Sequence, residues 1–214
     1  MTAGTEAPMV GLTHGASEDT GLGNRGPASK SIVVPYGFWL FVLSDMVLFS
    51  ALFATYASLV HATNGGPVTS QLFERTTVAI ETLALLISSF ICGLAMIAAK
   101  QKNMLWTQMA LLLTGLFGFV FLVLELTEFA HMVSIGAPPQ RSAFLSAFFT
   151  LVGCHGLHVT AGLLWLLTMM AQVFAKGYRP DILRRTLCFS LFWHTLDIIW
   201  VALFSVVYLM GVAA

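Results

Sequence analysis

The chain has 214 residues, of which 57% are hydrophobic and only 9% charged, and its ten basic and ten acidic side chains cancel to zero formal charge. A soluble domain carries nearer a quarter of its residues charged, so this composition, with a mean hydropathy of +0.85, describes an integral membrane protein. Once the few Lys and Arg are assigned to loops no basic patch remains, which excludes nucleic acid as a partner.

In chain order, residues 1 to about 30 are rich in Gly, Ala, Ser and Thr and carry Glu6, Glu18 and Asp19. They lack the apolar stretch behind a positive start that marks a signal peptide, and they are too polar to bury a core, which predicts a disordered cytoplasmic tail. Five apolar segments follow, at about 35–60, 77–99, 105–135, 142–175 and 186–210. Each exceeds the roughly 20 residues that a helix needs to cross about 30 Å of hydrocarbon. Pro35 is acceptable near the first helix start, and Asn64-Gly65-Gly66-Pro67 makes a turn-rich loop. Gly136-Ala137-Pro138-Pro139 stops the third helix. The third and fourth segments are long enough to require tilt or extension past the bilayer.

The expectation is therefore an all-α polytopic membrane protein, with residues 31–214 forming one five-helix bundle. Arg25, Lys30, Lys100, Lys102, Lys176, Arg179, Arg184 and Arg185 fall on one side, against Arg75 and Arg141 on the other. That asymmetry puts the N-terminus in the cytoplasm and the C-terminus in the periplasm. Cys92, Cys154 and Cys188 have no paired or metal-like spacing and read as buried, inert thiols.

The polar residues at membrane depth carry the information. They are Asp45, Glu81, Glu125, Glu128, His131, His155, His158, His194 and Asp197. None has a Lys or Arg nearby in its own helix, so partners must come from other helices, water or lipid. Asp45 and His194 lie at similar depths and could meet. Glu125, Glu128 and His131 form one stripe in the outer half of the third helix. Glu81 lies near the outer surface, where wetting accounts for it. His155 and His158, three apart, share a face.

Four readings of these groups compete: bis-histidine haem ligation by His158 and His194, a di-metal site for which Glu128-Phe129-Ala130-His131 supplies one Glu-x-x-His but no second, a proton pathway through Asp45 and the histidines, and a buried network that fixes helix packing or binds lipid headgroups. Ser142, Ser146, Thr150 and Gly153 form a small-residue stripe that lets another backbone approach. Gly156 and Gly162 add to it or make room for a ligand. Trp193 and Trp200 sit too deep for a membrane-interface belt and are expected to fill an interface with a partner or with lipid chains.

Gly153-Cys154-His155-Gly156-Leu157-His158-Val159-Thr160-Ala161-Gly162 resembles the Gly-x-His-Gly-x-His-Val-x-x-Gly signature of haem-copper oxidase subunit III. Trp193-His194-Thr195-Leu196-Asp197-Ile198-Ile199-Trp200 resembles that family's Trp-His-Phe-x-Asp-x-x-Trp motif, with Thr195 in place of the aromatic. Ser44-Asp45 through Phe49, Glu125 to Phe129 and Arg141-Ser142-Ala143-Phe144 fit the same family, over about residues 35–211. Long members have seven helices and this chain only the last five. That count, Asp45 where many members have Glu, and the closing Val206-Val207-Tyr208-Leu209-Met210-Gly211 resemble the bo-type ubiquinol oxidase branch of bacteria.

The resemblance implies an accessory chain with no catalytic, cofactor-binding or metal residues of its own. Its complex would lie in the bacterial inner membrane, oxidise ubiquinol, reduce oxygen to water and pump protons. Two haems and one copper would lie in subunit I, the main contact, with subunits II and IV as further partners and phospholipid bound. This chain would support assembly, stability and proton uptake by subunit I, the last through Asp45. The alternatives are subunit III of an aa-type quinol or cytochrome c oxidase and, from another class, a stand-alone proton-linked transporter. The absence of an inverted repeat counts against the transporter.

Overall fold

The computed structural model describes residues 30–62 and 75–213, which are helical apart from short connections. The helices are α1 (Lys30–Leu59), α2 (Arg75–Lys100), α3 (Met104–Ser134), α4 (Ala143–Lys176) and α5 (Pro180–Ala213), with one 3-10 turn at Pro139–Arg141. All five are long and apolar enough to cross a membrane. The N-terminal tail and the Asn64–Pro67 loop lie outside the described residues.

Local chemistry sets the helix ends. The Asn103 side chain accepts the Trp106 N–H at 3.4 Å and caps α3, and Ser142 accepts the Leu145 N–H at 3.2 Å and caps α4. Such caps satisfy amide donors that a helix start leaves open. Gly136 and Gly177, at φ +76° and +66°, let the chain turn away just after α3 and α4. Two starts lie earlier than the hydrophobic pattern indicates. α5 begins at Pro180, which loses no bond in the first helical position, and Asp181 in the first turn suits the helix dipole and pairs with Arg184. α1 begins at Lys30, so Pro35 lies inside the helix and forfeits one backbone hydrogen bond. With 34 residues, α4 extends about 51 Å at 1.5 Å per residue and must tilt or project beyond the hydrocarbon.

Helices α2 to α5 form a ring in which each touches its sequence neighbour and α5 closes back onto α2. The short link Gln101–Asn103 makes α2 and α3 an antiparallel pair. Helix α1 stands outside the ring, against α4 and α5. Its C-terminal end is tied to the start of α4, where the Phe144 N–H donates to the Ala62 carbonyl at 3.4 Å. The interior is rich in aromatic rings, among them Phe49, Phe121, Phe189, Trp193 and Trp200. Leu, Ile, Val and Phe cover the outer faces of α1, α2 and α3, as in Leu40, Val47, Leu83, Phe90, Leu116 and Phe119. A continuous apolar coat of this kind suits lipid or a partner helix.

Candidate functional site

His155 is completely buried on α4. Its ring packs between Phe49 of α1, Phe121 of α3 and Trp200 of α5, with centroids 6.3, 5.8 and 5.3 Å away. Neither ring nitrogen has a hydrogen-bond partner among the described residues. Three aromatic side chains thus occupy the space around this ring, and within the fold it packs on them and not on a carboxyl. His158, one turn on, does share the face, its ring 5.3 Å from Phe49. It is half-buried, and its Nδ1 lies 2.7 Å from the Cys154 carbonyl, a local bond that leaves Nε2 pointing away from its own helix. Asp45 of α1 is half-buried close to this point and interacts electrostatically with Cys154.

The second histidine motif serves α2. The Ser89 hydroxyl lies 2.7 Å from Nδ1 of His194 and also engages Asp197. One hydroxyl can do both, donating to the carboxylate while accepting from the imidazole N–H. His194 is therefore turned toward α2, and the expected meeting with Asp45 does not form. On either side, the Trp193 indole N–H donates to Ser88 at 3.0 Å and the Trp200 N–H to Thr82 at 3.1 Å. Ser88 in turn donates to the Thr114 carbonyl of α3 at 2.9 Å. Both tryptophans are core residues, 2% and 3% exposed, and not the partner-facing or lipid-facing rings expected from the sequence. Thr82, Ser88 and Ser89, the acceptors that hold α5 to α2, escaped sequence reasoning. Their helical spacing along an otherwise apolar segment was the available signal. Ser89→Ala should lower the stability of the bundle by about 1 kcal/mol, a typical value for a hydrogen bond between membrane helices, read as a lowered unfolding midpoint of the purified protein.

The acids of α2 and α3 converge. Glu81 and Glu125 are 1% and 3% exposed, and both line a small cavity with the half-buried Glu128. Wetting at the surface therefore does not account for Glu81, which is covered by α3 and α5. His131, the third member of the expected stripe, is exposed and separate from the other two. Six residues of helix turn through about 600°, so it has rotated well off the line of Glu125.

The closest helix approaches use other small residues than the predicted stripe. Ser146 and Thr150 face outward, and a Cβ on Gly153 would meet only Phe129, at 3.8 Å. Ser142 contributes the α4 cap. A Cβ on Gly118 or Gly162 would instead lie 2.8 or 2.9 Å from the Trp193 ring, and one on Gly156 would lie 2.9 Å from Oε1 of Glu125. Gly156 and Gly162 of the signature thus make room for a tryptophan and a carboxyl of neighbouring helices.

The donor geometry does not fit a haem or a metal ion. His158 points toward α1 and His194 toward α2, and the Phe49–Phe121–Trp200 box around His155 leaves no gap for a porphyrin. No group of three or more His, Cys, Asp or Glu among the described residues is arranged to hold a metal. The three cysteines are free, Cys92 and Cys188 buried and Cys154 partly so.

The family described as cytochrome c oxidase subunit III matches residues 14–212. Cytochrome bo(3) ubiquinol oxidase subunit 3 of Pseudomonas aeruginosa is 48% identical over 96% of this chain and 94% of its own length. The protein of the same name from Pseudomonas putida is 48% identical over 82% of this chain and 85% of its own length. Quinol oxidase subunit 3 of Bacillus subtilis is 42% identical over 82% of this chain and 86% of its own length.

Proposed function

The chain belongs to the cytochrome c oxidase subunit III family, and on that premise we propose that it is the accessory, non-redox subunit III of a ubiquinol-oxidising haem-copper oxidase. The observation that carries this reading is near full-length similarity to quinol oxidase third subunits, together with both histidine motifs. In such a complex subunit I holds two haems and one copper, oxygen is reduced to water, and protons are pumped across the bacterial inner membrane. Subunit I is the main contact, with subunits II and IV as further partners. The loop charges support a cytoplasmic N-terminus and a periplasmic C-terminus.

The work assigned to this chain is mechanical and protonic. Its apolar outer faces, α1 above all, suit contact with subunit I and with bound phospholipid. Asp45 is the residue we assign to proton uptake. It is the acid of α1, half-buried beside Cys154 and at a depth where a carboxyl serves a purpose or is removed. Asp45→Asn keeps the shape and removes the exchangeable acid. The intact variant complex should assemble normally yet take up protons more slowly and lose activity within fewer turnovers, measured by pH-indicator uptake and oxygen consumption. Unchanged uptake and unchanged turnover lifetime would remove this role and leave assembly as the function of the chain. A haem spectrum from this chain separated from its partners would overturn the accessory reading itself.

A further inference from the structure

Glu81 of α2 and Glu125 and Glu128 of α3 border one cavity of about 20 Å³, walled by Phe148 and Val152 of α4 and Trp200 of α5. That volume accommodates one water molecule. Both carboxyl oxygens of Glu125 and Oε1 of Glu81 are buried with no hydrogen-bond partner among the described residues. The Glu125 carboxyl rests on the backbone of Gly156, where no side chain intervenes. Among the described residues every titratable group facing the cavity is an acid: Glu81 from α2, and Glu125 and Glu128 from α3. The wall from α4 is apolar, and its nearest histidine, His155, packs on the Trp200 ring that closes the cavity. The wall from α5 is Trp200 with Leu203, Phe204 and Val207, and no Lys or Arg among the described residues lines the site.

Three ionised carboxylates cannot share so small a space without a counter-charge, because their repulsion is weakly screened and the buried Glu81 and Glu125 have lost their water. A metal ion is not the answer, since these side chains are not arranged to coordinate one. A proton is. A neutral carboxyl donates to a neighbouring carboxylate, and one water in the cavity supplies the remaining donors, so the same addition relieves the repulsion and satisfies the orphan oxygens. We propose that Glu81, Glu125 and Glu128 form a proton-holding site with one internal water. Glu125 lies nine residues, about 14 Å along the helix, from the end of α3 at Ser134. The half-buried Glu128 is its link toward the surface. The site is independent of Asp45 and does not rest on the subunit assignment.

The test is infrared spectroscopy of the intact complex in H2O and D2O, comparing the natural chain with Glu125→Gln and Glu81→Gln. The expected result is loss of a deuterium-sensitive neutral-carboxyl C=O band in at least one variant, with both variants assembling at the natural yield. Gln keeps the shape and the donor of a neutral acid. Loss of carboxylate bands alone, or no difference in either region, would overturn the proposal. So would failure of both Gln variants to assemble, because that would show a required negative charge.

Discussion

Trp193→Ala should destabilise the bundle by about 3 kcal/mol and deplete the chain from its complex. The figure is at the low end for emptying a buried tryptophan site, because in lipid the cavity cost remains while the gain of leaving water is absent. The Trp193 ring fills the space left by Gly118 of α3 and Gly162 of α4, and its N–H reaches Ser88 of α2. One side chain of α5 therefore touches each other helix of the ring. Gly162→Val should cost about 1–3 kcal/mol by overpacking the same space. Combined with Trp193→Ala its cost should shrink, because the added methyls enter the cavity the first change creates. Chemical unfolding of the purified complex, followed through the four members of the cycle, checks both statements. Additive effects would mean that the glycines and the tryptophan do not share a space.

At His155 the sign of the effect depends on the replacement. His155→Ala should cost about 2–3 kcal/mol by opening a cavity between Phe49, Phe121 and Trp200. His155→Phe keeps a ring in the aromatic box and removes two polar atoms that have no partner among the described residues. Stability should then hold or rise by about 1 kcal/mol, since an unmade buried hydrogen bond is costly. Thermal unfolding of the two variant complexes separates these outcomes. If His155→Phe destabilises the complex as much as His155→Ala, the imidazole nitrogens are engaged in the assembled oxidase by a group from outside the chain.

The sites differ in how far the sequence exposes them. The pairing of His155 with His158 on one face follows from a spacing of three residues, and both rings do contact Phe49. The burial of Glu81 does not follow, because six residues from a helix start is shallow or deep only according to what covers it. The core positions of Trp193 and Trp200 do not follow either, for a related reason. Position along a helix gives depth, whereas the choice between lipid and core is set by rotation about the helix axis, and all faces of these helices are apolar. In a soluble helix an amphipathic stripe would have marked the inner face.

What the amino-acid sequence determined by itself is the class of molecule, the five helices and the family. Apolar runs of bilayer length, with backbone polarity satisfied inside each helix, admit no other secondary structure, and the two histidine motifs need only local order to be recognised. The tertiary structure alone decided which polar groups meet: Ser89 with His194 and Asp197, Ser88 with Trp193, Glu81 with Glu125. Each of these pairs or groups joins residues from different helices, more than forty positions apart in Glu81 and Glu125 and more than a hundred in the others. Their meeting depends on how α2 to α5 rotate and close into a ring, and steric fits such as Trp193 against Gly118 and Gly162 set that rotation.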